Sequence, residues 1–250
     1  MTTALSSSGR TAVVYEDVET LWAGFEDLVR DLASTERARA VAELGGGADP
    51  IIGDWDFVKR RTVFDISATA LASADINLQT RLLDLCQPIT DDQSSYDLGR
   101  YDLVFSKMLC EHLADARTFH QNCFKLLRPG GLAVHFFPTL SALPFVVNKL
   151  APEPAARSVA AKFLPDRRDD PNWQKHPAYY RWTTGPTRRA RRRFESIGFR
   201  VEAWRAGFGH HYYRAHAALD AAERVKSDFL LKHPVPGLTS FATVVLRKPA

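Results

Sequence analysis

Cysteine is scarce in this 250-residue sequence, with three residues at widely spaced positions, Cys86, Cys110 and Cys123. An odd number of cysteines without a C-x-x-C pair is typical of reduced thiols in a cytoplasmic protein and gives no sign of a metal site. The sequence also lacks an apolar run of eighteen residues, so no membrane-spanning helix is expected. Residues 1–10 are rich in serine and threonine and do not resemble a secretory signal. We therefore expect a cytoplasmic protein that binds neither metal nor membrane.

The sequence also has only a small excess of positive over negative charge. The formal net charge is +4 and the isoelectric point is near 9.0. Much of the excess comes from residues 188–193, where five of six residues are arginine. A helix would spread these side chains around nearly two turns, which is typical of a solvated face. No recognisable nucleic-acid-binding module accompanies the run. The arginines therefore give only weak support to an RNA partner.

Short apolar runs recur along the chain, and helical patterns fill several of the intervals between them. Seven have the length and composition of strands: residues 40–44, 62–66, 81–85, 101–105, 132–137, 201–206 and 241–246. Before the first of them, residues 18–32 carry apolar side chains at three- and four-residue spacing, which predicts an amphipathic helix. The alternation predicts an α/β fold with a mostly parallel sheet and helices on both faces.

Residues 1–37 are predicted to be a tail and a helix, and residues 38–250 a single domain. Residues 138–188 contain eight prolines and no strand signal. Because this segment is too long for a plain connection, it predicts a lid insertion. A second cap segment is predicted at about 210–239. Aromatic and histidine side chains of the two segments are expected to line an acceptor pocket: His176, Tyr179, Tyr180, Trp182 and Tyr212.

The strongest local motif is Glu43-Leu44 followed by Gly45, Gly46 and Gly47, at the end of the first predicted strand. Consecutive glycines let the backbone pass close to a ligand, and ligands of open α/β sheets bind at the carboxyl ends of the strands. A dinucleotide fingerprint would need a third glycine where Pro50 stands. No Gly-Lys-Ser/Thr ending of a phosphate-binding loop follows either. The loop therefore suits a ligand without a pyrophosphate.

Further motifs follow this loop in a fixed order. They are Asp65 after the second strand, Asp84 in Leu82-Leu83-Asp84-Leu85, the strand over 101–106, Glu111-His112-Leu113, and the turn Leu127-Arg128-Pro129-Gly130-Gly131. Together with the glycine loop, they resemble class I S-adenosylmethionine-dependent methyltransferases of the small-molecule type over roughly residues 38–140. The resemblance implies a Rossmann-like seven-stranded sheet, methyl transfer and S-adenosyl-L-methionine as the cofactor. The exit Ala48-Asp49-Pro50 departs from the family pattern, which predicts a short or irregular helix after the first strand.

The resemblance also implies which residues contact the cofactor. The set is Glu43, Gly45, Gly46, Gly47, Asp65, Ile66, Asp84, Leu85 and Ser106. In it, Asp65 would accept hydrogen bonds from the two ribose hydroxyls, since a carboxylate can accept both. The alternative for Asp65 is an ordinary helix N-cap. Asp84 would accept from the adenine amino group, and Glu43 would help to hold the amino group of the methionine end.

A methyl acceptor that must lose a proton needs a base, and histidine suits that task because its pKa is near neutral. His210 and His211, shortly after the sixth predicted strand, are the predicted general base, with a surface cluster as the alternative. They favour O-methylation slightly. His112 is expected to have a structural or cofactor-side role, with base catalysis as the alternative, and His135 to be a satisfied core residue.

The sequence thus predicts methyl transfer to a small, flat or apolar acceptor, such as a biosynthetic intermediate. An RNA-directed methyltransferase and a non-catalytic cofactor-binding domain remain as alternatives. The oligomeric state is not predicted.

Overall fold

The structure, a computed structural model, describes residues 11–90, 97–140 and 177–250. Its strands are β1 (Ala12–Asp17), β2 (Ala40–Leu44), β3 (Arg60–Asp65), β4 (Gln79–Leu82), β5 (Tyr101–Lys107), β6 (Leu127–Pro138), β7 (Arg200–Phe208) and β8 (Phe241–Arg247). Its helices are α1 (Val18–Thr35), α2 (Ala68–Ala72), α3 (Ala116–Leu126), α4 (Arg188–Glu195) and α5 (Ala217–Lys232). Short 3₁₀ turns lie at Ile51–Asp54, Cys110–His112 and Pro236–Leu238.

The strands form one sheet in the order β4-β3-β2-β5-β6-β8-β7-β1. Strand β8 runs antiparallel to β6 and β7, and the other pairs are parallel. The carboxyl ends of all parallel strands therefore lie along one edge of the sheet. This arrangement confirms the mostly parallel Rossmann-like sheet that the apolar runs predict.

Within the described residues the sheet has eight strands rather than the seven predicted. The additional strand is β1, which pairs with β7 from Ala12 opposite Ala203 to Asp17 opposite Phe208. It lies at the end of the sheet, where Val13 and Val14 are each 42% exposed. An edge strand of this kind lacks the burial that marks the central strands, so the N-terminal segment was not predicted to be a strand.

Helix α1 follows β1 directly and confirms the predicted amphipathic helix. Asp17 caps it, because the Asp17 carboxylate accepts the Thr20 N–H at 2.8 Å. The apolar positions of one face are buried: Leu21, Phe25, Leu28, Val29 and Leu32. That face packs against the sheet, where Phe25 lies next to Phe105 and Phe136.

The sheet is buried on both faces because successive residues of a strand point to opposite sides. In β5, Phe105 joins the core beneath α1, while its neighbours Val104 and Ser106 point to the face covered by α3 and α4. The α1 face is packed with apolar and aromatic side chains, and the α3 face also contains buried histidine and cysteine. No helix in the described parts of the chain is long and apolar enough to cross a membrane.

The predicted lid falls mostly on residues outside the described part of the chain, and so does His176. Of the lid, residues 177–187 are described, and they form an irregular segment that leads into α4. The second predicted cap segment contains α5 and the turn Pro236–Leu238.

Candidate cofactor and acceptor site

The glycine loop leaves β2 at the carboxyl edge of the sheet and turns back onto β3. Gly45 and Gly47 have φ angles of +74° and +59°, which L side chains rarely adopt. A Cβ atom on Gly45 would lie 2.8 Å from Leu109 Cδ1. The Gly45 N–H donates to Phe64 O at 2.7 Å. Position 45 therefore favours glycine, because a side chain there would be strained by the positive φ and would displace Leu109.

Asp65 ends β3 and holds the glycine loop through its carboxylate. Asp65 Oδ2 accepts the Gly47 N–H at 3.1 Å, and Oδ1 accepts the Ser67 N–H at 2.8 Å. The N-cap of α2 is Ser67, whose hydroxyl accepts the Ala70 N–H. The helix-cap alternative therefore applies to Ser67 and not to Asp65. Each carboxylate oxygen of the half-buried Asp65 keeps a lone pair for a further donor.

Asp84 and Leu85 follow β4 and lie beside the end of β3. The Leu83 N–H donates to Asp65 O at 2.9 Å, which draws this loop alongside Asp65. Asp84 is exposed and accepts the Cys86 N–H at 2.8 Å, whereas Leu85 is buried. Ile66, next to Asp65 in sequence, exposes 70% of its surface. The fold thus brings an exposed carboxylate and an exposed apolar side chain to the same edge of the sheet.

Glu43 lies buried beneath the glycine loop. A Cβ atom on Gly46 would come within 3.1 Å of Glu43 Cδ, and Glu43 Oε2 accepts the Ile52 N–H at 3.1 Å. Burial raises the pKa of Glu43 to about 7. The hydrogen bond from the Ile52 N–H explains the unusual exit from the loop, because through it the Glu43 carboxyl group anchors the short turn Ile51–Asp54 that follows Pro50.

Ser106 is in β5, but its side chain points away from the glycine loop. The fully buried Ser106 Oγ forms a hydrogen bond with His135 Nδ1 at 2.9 Å on the α3 face. The predicted contact of Ser106 with a cofactor is therefore restricted to its backbone.

A carboxyl–imidazole pair follows β5, where Met108 has a φ of +55° and the chain enters the turn Cys110–His112. Glu111 is buried, and burial raises its pKa to about 8. Glu111 Oε1 lies 3.7 Å from His112 Nε2. Glu111 Oε2 has no hydrogen-bond partner among the described residues. A buried carboxyl group that is neutral near neutral pH is a feature of catalytic sites.

Residues 177–180 cover this pair. The Glu111 carbonyl accepts the N–H groups of Tyr179 and Tyr180 at 2.7 and 3.0 Å. His112 Nδ1 forms a hydrogen bond with Pro177 O at 2.9 Å. Since a carbonyl can only accept, Nδ1 carries the proton in the neutral ring and Nε2 is the basic nitrogen. The sequence alone does not show that Pro177, 65 residues away, packs on His112 and orients its ring.

The predicted acceptor residues that the structure describes lie at three places. Tyr179 and Tyr180 lie at the end of β5 through the contacts with Glu111. Trp182 instead stacks on His120 on the α3 face, with ring centroids 5.8 Å apart. Tyr212 lies beside His210, beyond the end of β7.

The predicted base, His210 and His211, lies beyond the end of β7. His210 is buried and its Nε2 is 3.6 Å from Glu223 Oε1 of α5; burial lowers the pKa of His210. His211 is more exposed and lies 3.4 Å from Glu19 Oε1. Strand β7 is three strand spacings from β5 in the sheet, which is about 14 Å. The fold therefore does not bring this histidine pair to the glycine loop, and its role as a base stays a prediction.

Residues 42–135, which include the glycine loop, β3 to β5 and most of β6, match the family model of the methyltransferase domain. The protein is an S-adenosylmethionine-dependent methyltransferase of the class I fold. Its cofactor is S-adenosylmethionine, and the glycine loop, Asp65 and Leu85 fit it. Gly45 keeps the backbone of the loop free of a side chain, and Asp65 keeps acceptor capacity towards a diol.

Solved structures with this fold cover nearly the whole methyltransferase chain. An S-adenosylmethionine-dependent methyltransferase from Mesorhizobium loti is 17% identical, with a TM-score of 0.51 over 90% of this chain and 97% of that one. The N-methyltransferase NodS from Bradyrhizobium japonicum, solved with S-adenosylhomocysteine, is 15% identical, with a TM-score of 0.52 over 94% and 90%. The [4+2]-cyclase SpnF is 11% identical, with a TM-score of 0.51 over 90% and 81%. At these identities the likeness shows the fold alone. No curated protein matches the sequence significantly.

Proposed function

We propose that this methyltransferase methylates a small molecule that binds at the end of β5, between the glycine loop and residues 177–180. The observation that carries the proposal is the Glu111–His112 pair. This pair lies close to the glycine loop, because Leu109, two residues before Glu111, packs against Gly45. A site that is covered by a short segment of chain suits a small acceptor better than a polymer.

The cofactor residues are proposed on the same geometry. Asp65 accepts the ribose hydroxyls, while Ile66 and Leu85 cover the adenine and Asp84 accepts from its amino group. Gly45, Gly46 and Gly47 allow the methionine end to approach the backbone. Glu43 already accepts the Ile52 N–H, so its main proposed role is to hold the loop, with the cofactor amino group as a second partner.

When bound, the cofactor supplies a methyl group on a positively charged sulfur. The chain's own part is to align the acceptor with that group, to exclude water and to take a proton. His112 Nε2 is the basic nitrogen of a ring that Pro177 O orients through Nδ1. The neutral Glu111 beside it does not compete for the proton near neutral pH.

The preferred acceptor is a phenol or other hydroxyl compound, because such a group has to lose a proton as it is methylated. Amines are the nearest alternative, and NodS, which shares the fold, is named as an N-methyltransferase. An RNA acceptor is supported only by the open groove that Arg188, Arg189, Arg192 and Arg193 line on α4.

The test is transfer of a labelled methyl group to a panel of phenols, aliphatic amines and RNA. We expect turnover of a phenolic acceptor by the wild type and its loss in His112→Gln. Turnover of RNA that falls steeply with rising salt would replace the proposal with the RNA alternative. Binding of the cofactor without turnover of any acceptor would favour the non-catalytic alternative.

A further inference from the structure

Three donor side chains converge in the core on the α3 face of the sheet, away from the glycine loop. They are His120 and Cys123 of α3 and His135 of β6. A ring nitrogen of each histidine and the Cys123 sulfur all lie within 4.8 Å of one another. Three donor atoms that each lie 2.0–2.3 Å from one ion are about 3.3–4.0 Å apart. Small side-chain rotations would therefore complete a common coordination sphere.

The histidines of this cluster are buried and only partly satisfied. His120 is 2% exposed and His135 0%. His120 Nδ1 and His135 Nε2 have no hydrogen-bond partner in the described parts of the chain. Leaving such nitrogens unpaired in a core is costly, and a bound ion would satisfy both.

Ser106 supports a ligand role for His135. The Ser106 hydroxyl is 2.9 Å from His135 Nδ1, so it can accept the Nδ1 proton and leave Nε2 as the coordinating nitrogen. Metal-binding histidines are commonly oriented by a hydrogen bond of this kind at the other ring nitrogen. Trp182 and Phe194 pack on His120 and keep the cluster dry.

From this convergence we infer that His120, Cys123 and His135 form a binding site for one thiophilic transition-metal ion. Two imidazoles and a thiolate are a donor set that zinc and copper prefer. On binding, the Cys123 thiol loses its proton to solvent and the sulfur takes its place as an anionic ligand.

The charge of the site favours a monovalent ion. Imidazole coordinates a metal ion as a neutral ligand, so the Cys123 thiolate supplies the only charge among the three ligands. One thiolate neutralises Cu⁺ completely and leaves a buried charge with Zn²⁺, so Cu⁺ is the preferred ion.

The ion would tie α3 to β6 directly beneath the end of β5. Because the three ligands are buried, we expect it to be taken up during folding rather than by the folded chain. Its effect would be on the stability of the sheet edge that carries Glu111, and the site is separate from the methyl-transfer residues.

The experiment is to refold the full chain with Cu⁺ under reductant or with Zn²⁺, desalt it and measure metal content and melting temperature. We expect about one ion per chain and a raised melting temperature in the wild type. Both effects should be lost in Cys123→Ala and kept in Cys86→Ala, because Cys86 lies outside the cluster. A copper content above the zinc content would support the charge argument.

Metal-free wild type from both refolding mixtures would overturn the inference, and so would metal that Cys123→Ala retains. If Cys123→Ala does not refold, X-ray absorption on metal-loaded wild type decides the question. One sulfur and two nitrogen neighbours are expected, and a shell without sulfur would overturn the site.

Discussion

The carboxyl edge of the sheet carries a glutamate beside a histidine at two places, and their surroundings differ. Near β5, the buried Glu111 has His112 as its ionisable partner. Beyond β7, Glu223 faces His210 and is also paired with Lys226 at 2.6 Å. The first pair lies beside the glycine loop beneath residues 177–180, and the second lies beneath α5. Similar residue types therefore have different surroundings at the two places, and the sequence alone does not show which pair lies closer to the glycine loop.

The largest effect that separates the two pairs is expected in the rate of methyl transfer. His112→Gln removes the basic nitrogen and should lower kcat by about 10²–10⁴-fold, with loss of the rise in kcat with pH that a general base produces. His210→Gln should keep that rise. The pH dependence of kcat, measured for both variants with the same acceptor, checks this. If only His210→Gln lost the rise, the assignment of the base would pass to the β7 end.

A smaller effect is expected from crowding the glycine loop. Gly45→Ala places a Cβ atom against Leu109 in a left-handed backbone, at a cost of about 1–3 kcal/mol. We expect S-adenosylhomocysteine to bind roughly 5- to 100-fold more weakly. The double variant Gly45→Ala/Leu109→Ala should recover part of the affinity, because the clash is relieved but the backbone strain stays. Unchanged affinity in Gly45→Ala, by calorimetry, would show that the loop does not meet the ligand.

The last comparison concerns the stability of the fold rather than catalysis or binding. Because the folded-state pKa of Glu111 is raised from 4.5 to about 8, ionising it opposes folding. The contribution of the protonated Glu111 to the free energy of unfolding is complete below pH 4.5 and is lost as the pH rises to about 8. Glu111→Gln should therefore gain stability over the wild type across this window, by at most about 1.4 kcal/mol per pH unit. Urea unfolding at several pH values measures the difference, and a difference independent of pH would contradict the burial of a neutral Glu111.

The central strands and the glycine loop could be predicted because their signals are local. The alternation of apolar runs follows from burial on both faces, and Asp65 falls at a strand end by position alone. Contacts between distant segments could not be predicted in this way. The orientation of His112 depends on Pro177, 65 residues later, and that of Ser106 on the strand that brings His135 beside it.

The donor cluster on the α3 face had one local signal. His120 and Cys123 are three residues apart in a helix, so they share a face, but nothing in the sequence shows that His135 lies opposite. His135 was expected to be a satisfied core residue, and among the described residues only its Nδ1 has a partner. The sequence thus predicted that His135 is buried, but not that it lies beside His120 and Cys123.

The measurement that tests the account most directly is calorimetric binding of S-adenosylhomocysteine to the wild type, Asp65→Ala and Asp75→Ala. Asp75 is a matched control, since its carboxylate accepts the Asn77 N–H at 2.8 Å just as Asp65 accepts that of Ser67. We predict binding by the wild type and Asp75→Ala, and a loss of about 10²-fold or more in Asp65→Ala, where charge-assisted hydrogen bonds are removed. No binding by the wild type, or equal binding by all three proteins, would contradict a cofactor site at this edge of the sheet.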